Sequence, residues 1–311
     1  RRVQVVQPPA YFPYGTLDRV PALARRVIGT NAKRYARFVE GAVGAAKGAR
    51  SLVLMNSFMP VHGYLVGPRL RPSVHLYHRA DDLAAYSSCR PVYIDLERDV
   101  LRQADVVVCV SAAVRAAIAG DRPDARIVAN GVDNARFTLA RPDPRLSGLA
   151  RPVAVLVGTV DGRVDRALLD SVVDSGATLV VAGKVLGGDE TLPPGTVSLG
   201  AVEPDAIPGI LAGADVGLVP YDPRWPGDVL KTYEYLAAGL PVVATPLPCL
   251  DGIDERLVRR ATHADFGRAV MACASSDTPA RREQRRAAAR EQDWSARVDA
   301  MLALMSAAVA A

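Results

Sequence analysis

Lys231 and Glu234 are the residues whose types and spacing could do chemistry. They lie in the stretch LKTYEYLAAGLPVVATPLP, residues 230 to 248. Three positions apart on a short helix, they share one face. Gly239 stands where that helix should stop, because a left-handed cap is cheapest for glycine. Pro241 then opens Val242-Val243-Ala244-Thr245, a β-rich run that fits an inner strand. An ammonium and a carboxylate fixed above a strand end could hold a nucleotide sugar. The lysine would meet a diphosphate, and the glutamate would accept from ribose hydroxyls. The same spacing also fits a weak surface ion pair on an ordinary αβ unit, so both readings stand at this point. One bias favours the first. Arginine supplies nearly all the positive charge, and only Lys33, Lys47, Lys184 and Lys231 break the pattern. A lysine in such a chain can mark a place that needs a compact ammonium.

The elements that must position these residues alternate along the chain. Arg2–Gln7 reads as a strand and Tyr11–Asp18 as a loop. Val20–Lys47 has helical periodicity, with Leu23, Val27, Ile28, Tyr35, Phe38 and Val39 facing inward and a possible break at Gly29-Thr30. Strands follow at 51–56, 73–78, 105–111 and 126–129, with helices at 92–103 and 112–119. The polar, proline-rich segment 136–151 reads as an interdomain linker. Beyond it come strands at 153–158, 177–182, 196–199, 216–220, from Val242, and 256–259. Helices are expected at 164–175, 205–212, 264–274 and 281–290. A last helix runs from Trp294 to Val309, with Trp294, Val298, Met301, Leu302 and Met305 on its apolar face. Two sets of parallel βα units give an α/β protein of two doubly wound, Rossmann-like domains facing a cleft. Ligands of such sheets sit beyond the carboxyl ends of the strands.

Composition narrows the class. The chain has 311 residues, half of them apolar, enough for one large or two medium domains. No apolar run approaches the ~18 residues of a spanning helix, and no signal peptide is visible. Cys89, Cys109, Cys249 and Cys273 are widely spaced without a CxxC pair, so neither zinc nor a disulfide framework is indicated. A reducing cytoplasm is the expected setting. The net charge of +5 is local. Residues 19–50 hold Arg19, Arg25, Arg26, Lys33, Arg34, Arg37, Lys47 and Arg50 against the single acid Glu40. That stretch could lie on anionic lipid near a lipid-linked acceptor, or be an amphipathic helix with a solvated basic face. The arginine-rich stretch 281–290 reads the same two ways. Nucleic acid is disfavoured, because the basic regions lack interleaved aromatics. No GxGxxG follows any strand, which argues against a dinucleotide-dependent oxidoreductase.

Several segments together resemble the GT-B glycosyltransferases of the family-4-like group, in the manner of bacterial polysaccharide enzymes related to the xanthan-pathway glucuronosyltransferase. NGVDNARF (130–137) resembles the signature closing the first domain, and VGTVDGRVDRALL (157–169) the opening of the second. LKTYEYLAAGLPVVATP resembles the donor-site motif. DWSARVDAML (293–302) resembles the terminal helix that crosses back to the first domain. The similarity covers nearly all of the chain. Many family members pair their glutamate with an earlier one, whose place is taken here by Pro226. Leu230, Lys231 and Glu234 instead match the apolar-Lys-x-x-polar pattern of the xanthan-type subgroup. The resemblance begins at what looks like the second strand of the first domain, so the usual first strand and its glycine-rich loop are expected to be missing.

The resemblance implies a domain division at 1–140 (acceptor side), 141–290 (nucleotide-sugar side) and 291–311 (crossing helix). It also implies roles. Lys231 contacts the diphosphate, helped by the amino end of its helix, with Leu230 and Glu234 beside it. Asp228 would oppose an anion there unless it points away. Arg163 lies in a loop over the cleft and could be a second diphosphate contact, or pair with Asp165 at the start of a helix. Gly158 and Thr159 let the backbone approach the ligand. Lys184 ends a strand pointing the same way, or is simply solvated. The loop at Val202 and Glu203 reads the base through its backbone. Tyr221 and Asp222 could line the sugar pocket, with packing as the alternative for Tyr221. In the first domain Asp81 takes the general-base role by resemblance, with Asp82 its rival; a helix N-cap is the alternative use of either. His78 could assist or be structural.

The expected activity is glycosyl transfer from a nucleoside-diphosphate sugar to a glycan, lipid-linked or other hydroxyl acceptor, hexosyl or uronosyl, in cell-surface polysaccharide or glycoconjugate synthesis. It needs no metal and no cofactor beyond the donor. Its place is the cytoplasm, at the inner face of the plasma membrane if residues 19–50 bind lipid. The alternatives are a nucleotide-sugar epimerase on the same fold and a non-catalytic sugar-nucleotide-binding protein.

Overall fold

The computed structural model describes residues 20–44, 52–60, 67, 69–86, 89–251 and 253–310. The expected strand at 2–7, the loop at 11–18, and Arg19, Lys47 and Arg50 lie outside the described residues. The chain divides into two compact units. One comprises residues up to Ala129 together with the segment from Asp299, and the other Asn130–Val298.

The first unit holds α1 (Pro21–Gly44), β1 (Val53–Ser57), β2 (Val74–Arg79), α2 (Pro91–Gln103), β3 (Val106–Cys109), α3 (Ala112–Ala116) and β4 (Arg126–Ile127). Its strands pair in parallel in the order β1-β2-β3-β4. Parallel strands are covered on both faces, which is why β2 is buried at every position despite carrying two histidines and an arginine. Leu76, Val108 and Val128 pack on one face against Met301, Leu304 and Met305. Tyr77, Val107 and Cys109 meet Val100, Leu101 and Val114 elsewhere in the same unit.

Two expected helix faces are corrected. α1 runs unbroken through Gly29-Thr30 and buries Ala24, Ile28, Ala32 and Ala36, a seam at four-residue spacing, whereas Leu23 is 43% exposed. Small residues allow that face to approach closely, and hydrophobicity alone pointed to the bulkier neighbours. In the last helix the packed set includes Leu304, while Leu302 is 42% exposed.

The second unit carries α4 (Ala135–Thr138), β5 (Val153–Val157), α5 (Arg166–Asp174), β6 (Thr178–Ala182), β7 (Val197–Ser198), α6 (Ile207–Ala212) and β8 (Val216–Val219). It continues with α7 (Leu230–Ala238), β9 (Val242–Ala244), β10 (Val258–Arg260), α8 (Phe266–Ser275), α9 (Pro279–Arg290) and α10 (Trp294–Ala310), the last running on into the first unit. Its six parallel strands take the order β10-β9-β8-β5-β6-β7. The chain moves outward from β5 to β7, then returns to the other side of β5 and moves outward again from β8. The order therefore reverses between β5 and β8, where the loops that follow diverge and leave a crevice at the carboxyl ends.

The segment read as a linker is built into this second unit. α4 packs on α6 and α7, and Phe137 is buried. The Asn134 amide donates to the Ala289 carbonyl and to Asp293 at 3.2 and 3.0 Å. Asp143 caps a 3-10 turn at Pro144–Leu146 while its own N–H donates to Gly209 O at 2.9 Å. Proline and charge gave the segment a linker's composition; its side-chain hydrogen bonds fix it in place. The division of contacts accordingly falls at Asn130, earlier than residue 140.

Candidate donor-binding site

α7 begins without a side-chain cap at Val229 and ends at Gly239, whose φ of +83° closes it in the left-handed region. The helix is buried on most sides, and Lys231, Thr232, Tyr233, Tyr235, Leu236 and Ala237 all face protein. This decides the first ambiguity. Lys231 points inward, is 9% exposed, and makes no ion pair with Glu234. Its Nζ donates to the Tyr221 hydroxyl at 2.6 Å and lies 4.6 Å from the centroid of that ring. Burial pushes its ammonium down to about 7, and the Arg163 charge adds to the push; Glu234 and Asp161 pull the other way. Burial likewise raises the half-buried Glu234 carboxyl, against the pull of Arg136 and Lys231. A cation without a carboxylate on it, held in a desolvated place, is suited to an incoming anion.

The ends of β5 and β8 build the place where that ammonium rests. Gly158 follows β5 with φ +108°, and a Cβ there would meet Lys231 Nζ at 3.3 Å. Gly183, at the end of β6, is needed for the same turn, since its own Cβ would fall 2.0 Å from Gly158 O. Tyr221 follows β8. Its carbonyl accepts from Thr245 Oγ1 at 2.6 Å, and its backbone bridges to Val164. Packing and site roles thus coincide in Tyr221.

Arg163 arrives differently from either expectation. It does not pair with Asp165, which caps α5 through the Ala167 N–H. Asp161 instead grips the guanidinium with both oxygens, at 2.9 Å to Nε and 2.7 Å to Nη2. The same Asp-x-Arg turn recurs at Asp143–Arg145, Asp222–Arg224 and Asp254–Arg256, so the grip is a local device. What sets Arg163 apart is its aromatic company: its guanidinium carbon stands 5.7 Å from the Tyr221 ring centroid and 5.2 Å from that of Trp225. Asp161 and Trp225 were missed in the sequence. The Asp-x-Arg spacing was a readable signal for the first; nothing local marked the second.

The remaining expected residues are more dispersed. Leu230 is exposed at the start of α7. Lys184 is exposed and is not among the charges acting on Lys231. Val202 is half-buried in the turn after Gly200, whose φ is +63°. Asp222 is held well down, to about 2, by the Arg224 guanidinium. Asp228 is engaged at the amino end of α7 itself, through the backbone of Val229. It accepts from the Asn130 N–H at 3.0 Å and the Tyr233 hydroxyl at 3.0 Å, and burial raises its carboxyl.

In the first unit the two aspartates separate by partner. Asp82 caps the 3-10 turn Leu83–Ala85 through the Ala84 N–H and accepts from Arg79 Nη2 at 2.8 Å. Arg79 is itself buried against Glu97, which also accepts from Tyr77 OH at 2.7 Å. Asp82 is therefore a structural member of a buried network. Asp81 accepts from the Asp82 N–H at 2.9 Å and from the Tyr86 hydroxyl. His78 shares a 3.0 Å hydrogen bond with Ser57 Oγ, and burial lowers its basicity.

Two family profiles match the chain in tandem. The one described as Glycosyltransferase Family 4 covers residues 3–136, and the one described as Glycosyl transferases group 1 covers residues 151–276. The chain belongs to the family-4-like GT-B glycosyltransferases. Among individual relatives, this chain is 25% identical over 228 residues to TuaH of Bacillus subtilis (strain 168), named for teichuronic acid biosynthesis. That match takes in 66% of this chain and 57% of TuaH, so little more than half of the relative's length is represented. The fold is shared with HepE of Anabaena, solved with UDP and glucose, at a TM-score of 0.67 and 17% identity over 96% of this chain and 84% of HepE. It is shared too with sucrose-phosphate synthase of Thermosynechococcus elongatus, at a TM-score of 0.65 and 18% identity over 90% and 78%. The match to the group 1 profile spans every residue gathered around Lys231.

Proposed function

We propose that this glycosyltransferase moves a sugar from a nucleoside-diphosphate sugar to a hydroxyl acceptor. The observation that carries the reading is the buried Lys231 ammonium, hydrogen-bonded to Tyr221, flanked by Arg163, and without a carboxylate on it. Breaking the sugar–phosphate bond loads negative charge on the leaving diphosphate. A fixed cation in a desolvated crevice stabilises that charge more than it stabilises the intact donor. Lys231 takes this role, Arg163 beside it in its pair with Asp161 is a second contact for the diphosphate, and Glu234 accepts from the ribose hydroxyls. Since the ammonium supplies the positive charge, the reaction needs no metal.

Asp81 is the candidate for taking the acceptor proton, since the arginine-bound Asp82 is committed to its cap. Use of Asp81 would make the reaction inverting. The acceptor is a glycan or lipid-linked hydroxyl, a reading supported by the role for which TuaH is named. The enzyme would meet it at the cytoplasmic face of the membrane; no helix among the described residues is long and apolar enough to cross one.

The test is thermal shift and titration with UDP, GDP, ADP and their sugars on the wild type and Lys231→Ala. UDP comes first because HepE has been solved with it. Ligand at a hundred times its dissociation constant should stabilise the wild type by about 3 kcal/mol. A response to one base that is lost in the variant supports the donor site. Binding with release of altered free sugar would favour an epimerase, binding without turnover a non-catalytic binder, and no binding at all would sink the proposal.

A further inference from the structure

The strands β5 and β8 are paired only at Ala154–Val216 and Val155–Gly217, and then part. Beyond that point the facing backbone groups have no ladder partner, yet they are fully buried. Tyr235 fills the gap. It lies one turn from Lys231 on the same face of α7, is fully buried, and lays its ring on Gly217, where any Cβ would sit 2.4 Å from the ring. Its hydroxyl accepts from the Val157 N–H at 3.0 Å, and the hydroxyl oxygen lies 3.3 Å from the carbonyl oxygens of Val155 and Leu218, to which it donates. One phenol thus ties both strands at the point where they separate.

We infer that Tyr235 is a positioning residue for the donor site: its hydroxyl bridges β5 and β8 where they part and sets the turn at Gly158 on which the Lys231 ammonium rests. The inference rests on the reading of Lys231 as the diphosphate contact and deepens it. The connection is short. Val157, whose N–H is bound by the phenol, precedes Gly158, and Gly158 is the backbone against which Lys231 Nζ lies. Gly183 closes on Gly158 from β6 and leaves that turn little room to move. Removing the hydroxyl leaves the Val157 N–H buried without its partner, and the crevice can relax only by shifting the β5 end or the helix. Either shift moves the ammonium relative to a bound diphosphate, while the ring of a phenylalanine would still fill the core above Gly217.

The experiment compares four proteins: wild type, Tyr235→Phe, Lys231→Ala and the double variant. Each is titrated calorimetrically with UDP, GDP and ADP. Val172→Ala, a fully buried core position on α5 outside the site, serves as a control for loss of stability. Tyr235→Phe is expected to weaken nucleotide binding about tenfold or more, since small displacements of a binding group are expensive. The double variant should bind no more weakly than Lys231→Ala, because the phenol acts through the lysine. Val172→Ala should lower Tm and leave the affinity unchanged. Wild-type affinity in Tyr235→Phe, additive losses in the double variant, or an equal loss in Val172→Ala would each overturn the inference while leaving the donor site standing. Absence of nucleotide binding by the wild type, or binding indifferent to Lys231→Ala, would remove the donor-site reading and this inference with it.

Discussion

The Lys231 ammonium donates to the Tyr221 hydroxyl at 2.6 Å and lies 4.6 Å from the centre of the same ring. A neutral phenol hydroxyl thus holds a buried cation that no carboxylate touches. Such a group works against folding until an anion arrives. Lys231→Met should therefore raise Tm, with a gain of at least about 1 kcal/mol in denaturant unfolding. The same change should weaken nucleoside-diphosphate binding at least about tenfold, the scale of one charge-assisted hydrogen bond. Loss of both stability and affinity would mean that the lysine is a structural group.

The lowered basicity of Lys231 gives that burden a pH dependence. Its folded value is pushed down to about 7 from 10.5. Between those limits the unfolded chain holds the proton and the folded chain releases it, so the unfolded state binds more protons. Stability attributable to this group therefore rises with pH across that window, by at most about 1.4 kcal/mol per pH unit. Below about 7 both states are protonated and the full burden remains. The quantity to measure is the difference between wild type and Lys231→Met in unfolding free energy from pH 6 to pH 10, which isolates this group. The gap should narrow as pH rises, while wild-type affinity for a nucleoside diphosphate falls.

Much of this was legible before the structure. Alternating apolar runs such as VAVLV and TLVVA gave the parallel strands, because strands covered on both faces need continuous apolar sequence. The three-residue spacing of Lys231 and Glu234 placed both on one short helix, and Gly239 marked its stop. Sequence spacing could not say which way the lysine faced, since that depends on how α7 is buried among elements distant in the chain. Trp225 and the phenol of Tyr235 were unreadable for the same reason: their partners lie on segments distant in the chain, the turn at Arg163 for the first and the strands β5 and β8 for the second. For Arg163 the pairing with Asp165, one of its two readings, gives way to Asp161, because a capping carboxylate and an Asp-x-Arg turn look alike until the hydrogen bonds are seen.

Gly183 permits one structural test of the site that touches no charged group. Its missing side chain is what allows Gly158 O to approach, with only 2.0 Å to an added Cβ. Gly183→Ala must push the β5 turn away, a backbone clash that costs about 1–3 kcal/mol or more. Nucleotide binding should fall along with stability. Gly162→Ala, where an added Cβ meets nothing within 4 Å, should change neither, and an equal loss in both variants would count against the close approach.

The two aspartates of the first unit should part in their mutant behaviour. Asp82→Ala removes a cap and one partner of the buried Arg79, a loss of about 2 kcal/mol in stability by chemical denaturation. Asp81→Asn keeps the shape of a side chain that accepts from Tyr86 and Asp82. It should leave Tm and nucleotide binding close to wild type and abolish transfer. If Asp81→Asn transfers sugar at the wild-type rate, the base lies elsewhere or the reaction retains configuration.

On α1 the buried seam of alanines leaves Leu23, Arg26, Thr30, Lys33 and Arg37 on an opposite, exposed face. Arg25 is set aside by its ion pair with Asp95 at 3.4 Å, so the cations that remain turned to solvent include three on one narrow stripe. A solvated basic face and a lipid-binding one differ in how they respond to anionic bilayers. Each lysine or arginine near such a surface contributes about 1 kcal/mol, so three together amount to about a hundredfold in partitioning. Sedimentation with phosphatidylglycerol vesicles should carry the wild type down, and the triple variant Arg26→Gln, Lys33→Gln, Arg37→Gln should stay largely in the supernatant. Raised salt should mimic the variant, because the attraction fades within a Debye length. Equal sedimentation of both proteins, or none of either, would make the stripe an ordinary solvated face.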